Sequence, residues 1–208
     1  MSNNQLNGSI PVEIGNLINA TELSISNNQL TGPIPEEIGN LTNLQILNLA
    51  NNEFDSVPST LSNLTNLTYL GLARNKIEGE FPVDFNGWNN LQTIWMGDNT
   101  GMVVDIDAFA DLWTSVQNIT IDNTMLTGTI SSLSGLIWLT DLNMACWNTP
   151  CDVDGLINDL GNLTAMQNIS IQNAWVGGTL DDLYNLSQLQ TFRLNGNSIW
   201  WTLGAGVA

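Results

Sequence analysis

The sequence predicts an α/β solenoid, a right-handed superhelix with a concave parallel sheet of about eight strands and convex connectors that are mostly irregular or short helical turns. Two observations predict it. One frame recurs along the chain: apolar, two variable, apolar, one variable, apolar, two variable and then usually Asn. Its central anchors, Leu23, Leu47, Leu70, Ile94, Ile119, Leu142, Ile169 and Phe192, stand 24, 23, 24, 25, 23, 27 and 23 residues apart. A period of this size marks stacked units, none of which can bury its apolar side alone. The composition carries the same imprint, with 29 Leu and 30 Asn among 208 residues.

Each element follows from the frame. Alternation at Leu23, Ser24 and Ile25 turns the apolar residues inward and leaves Ser24 solvated, as in a short strand with one wet face. A second inward set, Leu30, Ile34, Ile38 and Leu41, packs beneath that strand, so each coil is a flattened loop enclosing part of a shared core. The Asn at the turn (Asn28, Asn52, Asn75, Asn99, Asn197) carries donors and an acceptor in one amide, enough to satisfy backbone groups where the chain leaves the strand. Gly32 suits a position that disfavours a Cβ, and Pro35 suits an extended connector. The frame gives one domain, 1–208, with a partial repeat at 1–19, repeats starting near 20, 44, 67, 91, 116, 139, 166 and 189, and an apolar tail at 198–208. The chain reads as an excerpt of a longer protein; otherwise Trp200 and Trp201 fold over the last coil as a cap.

The segment Leu30-Thr31-Gly32-Pro33-Ile34-Pro35-Glu36-Glu37-Ile38-Gly39-Asn40-Leu41 between strands resembles the leucine-rich repeat family, in the variant common in plant receptor ectodomains and some bacterial surface proteins. The resemblance covers roughly residues 3 to 199. It implies a recognition fold, while leaving the ligand open. Coils five to seven depart from the pattern: the ladder Asn becomes Thr124, Trp147 and Ala174, and the Pro after the connector Ile or Leu disappears. Drift and a diverged binding region both account for this.

Charge excludes several functions. Twenty Asp+Glu against three Lys+Arg give a net charge of −17, too few cations to track a phosphate backbone or an anionic membrane. Without His there is no Ser-His-Asp or Cys-His catalysis, and two Cys cannot complete a zinc site. No run approaches 18 apolar residues. The start, Met1-Ser2-Asn3-Asn4, lacks the basic and apolar regions of a signal peptide, so a secreted protein would carry that signal outside this segment. The carboxylate pairs Asp105/Asp107, Asp152/Asp154 and Asp181/Asp182 read as solvated rim acids before they read as a glycosidase pair. Calcium is the sharper alternative, although no EF-hand loop is present. Cys146 and Cys151 enclose a four-residue insertion in the longest coil and read either as a local disulfide, implying an oxidising compartment, or as two reduced thiols. Nine Asn-x-Ser/Thr sequons, several created by the repeat itself, are weak evidence for glycosylation.

The outward strand positions are the most informative. They are mostly small and polar, apart from Trp95 and Tyr69. Tyr69, Arg74, Trp95, Asp98, Asp122, Asn143 and Arg193 form the expected ligand-binding set, with Trp95 either standing free as a grip or lying flat over Gly71 or Gly97. Trp88 and Trp113 occupy core positions, and Trp138, Trp147 and Trp175 fall on the rim. The expectation is a non-catalytic extracellular or cell-surface module, without a cofactor, binding a protein or peptide on the concave face. A carbohydrate-binding adhesin segment using Trp95 as a stacking platform and a spacer of a surface fibre, touching its neighbours end to end, are the alternatives.

Overall fold

The computed structural model describes residues 2–82, 87–110 and 115–200, with backbone alone at 109, 110, 181 and 182. Trp113, Trp201 and the rest of the apolar tail, and the Asp181 and Asp182 side chains, lie outside the described residues. Eight three-residue strands, β1 Glu22–Ser24, β2 Ile46–Asn48, β3 Tyr69–Gly71, β4 Thr93–Trp95, β5 Asn118–Thr120, β6 Asp141–Asn143, β7 Asn168–Ser170 and β8 Thr191–Arg193, make one sheet. All neighbours are parallel and in sequence order. Each predicted anchor is the central residue of its strand. Seven are buried, and Phe192, with no described coil beyond it, is 37% exposed.

The turn amide does what its chemistry suggests. Asn52 Nδ2 donates to Leu49 O and Ile25 O at 3.1 Å each, while its Oδ1 accepts from Leu30 N at 3.1 Å. Asn75, Asn99 and Asn197 repeat the pattern coil by coil. One residue earlier the backbone is left-handed, at Asn27, Asn51, Arg74, Asp98, Asn123 and Asn173. Asn and Asp tolerate that region through local hydrogen bonding, and Arg74 occupies it as an outlier.

The connectors are more ordered than the sequence reading expects. Five-residue 3-10 turns begin after Pro11, Pro35 and Pro58, whose fixed φ and ψ near 147° lead into them. In one of the turns that lack Pro, the Thr129 side chain accepts from Ser131 N instead. A helix spans Ile106–Ala110. Descending segments also pair as short parallel strips: Asn7–Gly8, Gln29–Gly32 and Glu53–Phe54; then Glu78–Glu80, Gly101–Asp105, Met125–Thr129 and Cys151–Asp154; then Gly177–Gly178 and Ser198–Ile199. This second, interrupted pairing runs beside the short helical turns that the frame predicts for the connectors. Most of these strips are only two to four residues long, several with a positive-φ Gly such as Gly32 at φ 76°, too short for alternation to mark them in the sequence.

Leu30, Ile34, Ile38 and Leu41 join the strand anchors in one continuous core, and Trp88 is fully buried in it. No helix among the described residues is long and apolar enough to cross a membrane.

Candidate functional site

The concave face is the outward side of β1–β8, about 34 Å across at seven strand spacings of ~4.8 Å. Its centre is built around two glycines. Gly71 is the register partner of Trp95, and a methyl added to Gly71 would lie 2.9 Å from Asn48 Oδ1, 2.9 Å from Tyr69 Cε1 and 3.1 Å from Tyr69 Oη, so Tyr69 shares this seat with Asn48. The Tyr69 ring therefore folds over Gly71, beside Trp95. Gly97 lies two residues beyond Trp95, and a methyl there would collide with Asp122 Oδ1. The Asp122 carboxylate thus occupies the other empty seat. Tyr69 and Asp122, rather than Trp95, fill the places where the sequence reading allowed Trp95 to lie flat. Trp95 is partly exposed between them.

At the edge of this patch Arg74 Nε meets Asp98 Oδ2 at 3.3 Å, and Asn123 Nδ2 donates to Asp98 Oδ1 at 2.8 Å. Asn123 was not singled out from sequence; its place one residue before the ladder Thr124, level with Arg74 and Asp98 in their coils, was the available signal. Asp98 thus accepts from both Arg74 and Asn123, while Arg74 stays largely exposed. Asp122 has only its own backbone amide and the field of Arg74 to oppose burial and the Asp98 charge, and burial, the largest cause, raises its pKa. Burial likewise raises the Tyr69 phenol, which stays protonated.

Asn143 and Arg193 stand apart from that group. They line a cleft of about 260 Å³ across β5–β8, together with Asp141, Asn168, Ser170 and Thr191. The expected set therefore divides in two: Tyr69, Arg74, Trp95, Asp98 and Asp122 at the centre, Asn143 and Arg193 in the cleft. Asp141 accepts from Thr140 Oγ1 at 2.7 Å and from Asn168 Nδ2. The Arg193 side chain makes no hydrogen bond or ion pair among the described residues, whereas Lys76 is held by Glu53 at 2.7 Å.

The remaining candidates have structural duties. Asp105 Oδ1 accepts from Asp107 N at 3.0 Å, and Asp107 Oδ1 accepts from Thr129 N at 2.9 Å and from Ser132 Oγ at 2.5 Å, so this pair ties a strand end to a helix start. Among the described residues no three His, Cys, Asp or Glu side chains gather as metal ligands would. Cys146 and Cys151 are joined in a disulfide. It closes a coil whose ladder position, Trp147, has its side chain in solvent; Trp138 and Trp175 are also exposed.

A family model described as a leucine-rich repeat region matches residues 2–204. The chain belongs to the leucine-rich repeat family. Comparison with curated proteins gives no match. Among solved structures, this leucine-rich repeat chain is similar to the ectodomain of the Arabidopsis receptor kinase HAESA in complex with an N-terminally extended IDA peptide hormone, at 29% identity and TM-score 0.84 over 95% of this chain and 33% of that one. It also shares its fold with the Arabidopsis thaliana GASSHO1/SCHENGEN3 ectodomain in complex with CASPARIAN STRIP INTEGRITY FACTOR 2 (22% identity, TM-score 0.78, covering 94% and 26%) and with a plant ice-binding protein (23%, 0.74, covering 96% and 72%). The chain spans about a third or less of the two receptor ectodomains.

Because the folded pKa of Asp122 is raised, its contribution to stability is fully present below the unfolded pKa, near 3.8, and is lost as pH rises through the folded value. Asp122→Asn removes that loss. Its Tm at pH 7 should exceed that of the parent by on the order of 1–3 °C, with the gain vanishing by about pH 3. Thermal unfolding of both proteins at the two pH values checks it.

Proposed function

We propose that this chain is a non-catalytic, extracellular or cell-surface recognition module that binds a protein or peptide on its concave face. The observation carrying this reading is the central patch, where two glycine seats hold Tyr69 and Asp122 and leave Trp95 partly exposed between them. A large rigid side chain in a field of small polar ones is the usual make-up of a binding hot spot. The HAESA ectodomain, similar over most of this chain, is a peptide-hormone complex, which favours a peptide ligand here. The disulfide fits an oxidising compartment.

Peptides selected by display on the immobilised chain test the proposal. Trp95→Ala should weaken them about 30-fold, the loss expected at a hot spot. Unchanged affinity would remove the concave-face assignment. The exposed Trp147 and Trp175, which follow β6 and β7 in adjacent coils, favour a second reading, a carbohydrate ligand on that flank. It requires a glycan-array signal that Trp147→Ala and Trp175→Ala abolish.

A further inference from the structure

We infer that the centre of the concave face reads a cationic side chain, an arginine or lysine of a basic peptide, held between the Trp95 indole and the Asp122 carboxylate; this rests on the concave-face reading. The positions come from strand register. Trp95 is paired with Gly71 on one side and Thr120 on the other, and Asp122 lies two residues beyond Thr120 on the same face. Asp98 N donates to Asp122 O at 2.8 Å, which holds the coils of Gly97 and Asp122 in step. With no side chain at Gly97, the Asp122 carboxylate leans over that backbone position, two residues beyond Trp95. Tyr69, folded over Gly71, adds a second ring on the far side of Trp95.

Charge then selects the occupant. Among the described residues no other side chain donates a hydrogen bond to the Asp122 carboxylate, while Asp98 already receives Arg74 and Asn123. Lys76 is paired with Glu53, and Arg193 is on β8, three strands beyond Thr120, so the protein brings no further cation to Asp122. A neutral apolar side chain would bury this carboxylate further without compensation. An acidic one would meet Asp98 and Asp122 together. A cation gains from the indole face, best of the aromatic rings for this contact, and from the carboxylate at once. The net charge of −17 draws cations toward the molecule before contact is made.

The test is an ¹⁵N–¹H NMR titration of the full chain with N-acetylarginine methylamide, its neutral citrulline analogue and N-acetylphenylalanine methylamide. The arginine compound should shift the Trp95 indole and the amides of Gly97 and Asp122, with a Kd about fivefold or more below that of the citrulline compound. Asp122→Asn, its folding checked by the dispersion of its ¹⁵N–¹H spectrum, should abolish that difference. Glu36→Gln, which removes an equal charge from an exposed turn, should leave it intact. If the citrulline or phenylalanine compound shifts the same patch as strongly as the arginine one, the cation assignment is overturned and the concave-face reading stands. If none of the three shifts the patch, both fall.

Discussion

Asn99→Ala should lower stability by about 3–5 kcal/mol, among the largest effects of any single substitution in this chain. Asn99 is fully buried and makes three backbone contacts: Nδ2 to Met96 O at 2.8 Å, Nδ2 to Leu72 O at 3.0 Å, and Oδ1 from Ile77 N at 3.2 Å. Alanine leaves those groups without the amide, in a core that water does not reach, at roughly 1–3 kcal/mol for each group left unsatisfied. The contacts also join one coil to the one before it. In a solenoid, stability is a sum of coil terms and interface terms, so losing a central interface should split one denaturation transition into two as well as lower its midpoint. Asn99→Thr should fall between, because Thr124, at the same place one coil later, keeps its contact with Ile121 O at 2.7 Å. Asn90→Ala, exposed and making one long contact of 3.4 Å, should stay within about 0.5 kcal/mol of the parent. Urea unfolding followed by far-UV circular dichroism separates the three.

The frame that makes Asn99 indispensable is also what made the fold legible. Strand position, register and the inward set follow from spacing alone, because an anchor such as Leu70 has only one way to face a core shared with Leu47 and Ile94. The ladder was legible for the same reason. The short strips at Gln29–Gly32 and its counterparts were not, since their pairing is set by backbone position rather than by side-chain alternation. The left-handed residue before most ladder positions is written in the Asn-Asn pairs at 27–28 and 51–52, but Arg74 and Asp98 obscure the rule.

The candidate site was legible only in outline. Register placed Trp95, Tyr69 and Asp122 on one face. Which way each leaned depended on Gly71 and Gly97, whose lack of a side chain has no chemistry to announce it. Asn143 and Arg193 were grouped with the centre because they share the outward face, whereas the cleft separates them by strand position. A glycine on a binding face thus has to be read as a seat for a neighbour's side chain, and its neighbours searched for what fills it.

Gly39 shows the same logic on the convex side, and Gly39→Ala should destabilise the fold by about 3 kcal/mol. Gly39 is buried in the 3-10 turn Glu36–Asn40, and a methyl there would lie 2.5 Å from Thr60 O and 2.7 Å from Thr60 Cβ in the next coil. The obstruction is partly backbone, so no rotamer change relieves it. The two turns must separate, pulling Ile38 and Leu61, both fully buried, away from their packing. Gly135, in the turn Ile130–Gly135, is the matching control: a methyl there has nothing within 4 Å and its φ is not left-handed. Gly135→Ala should therefore be neutral or stabilising by up to about 1 kcal/mol, through the reduced freedom of the unfolded chain. Opposite signs from the same substitution in the turns of two different coils would show that close approach between coils, rather than backbone conformation, requires glycine at position 39. Equal denaturation midpoints for the two variants would remove that account.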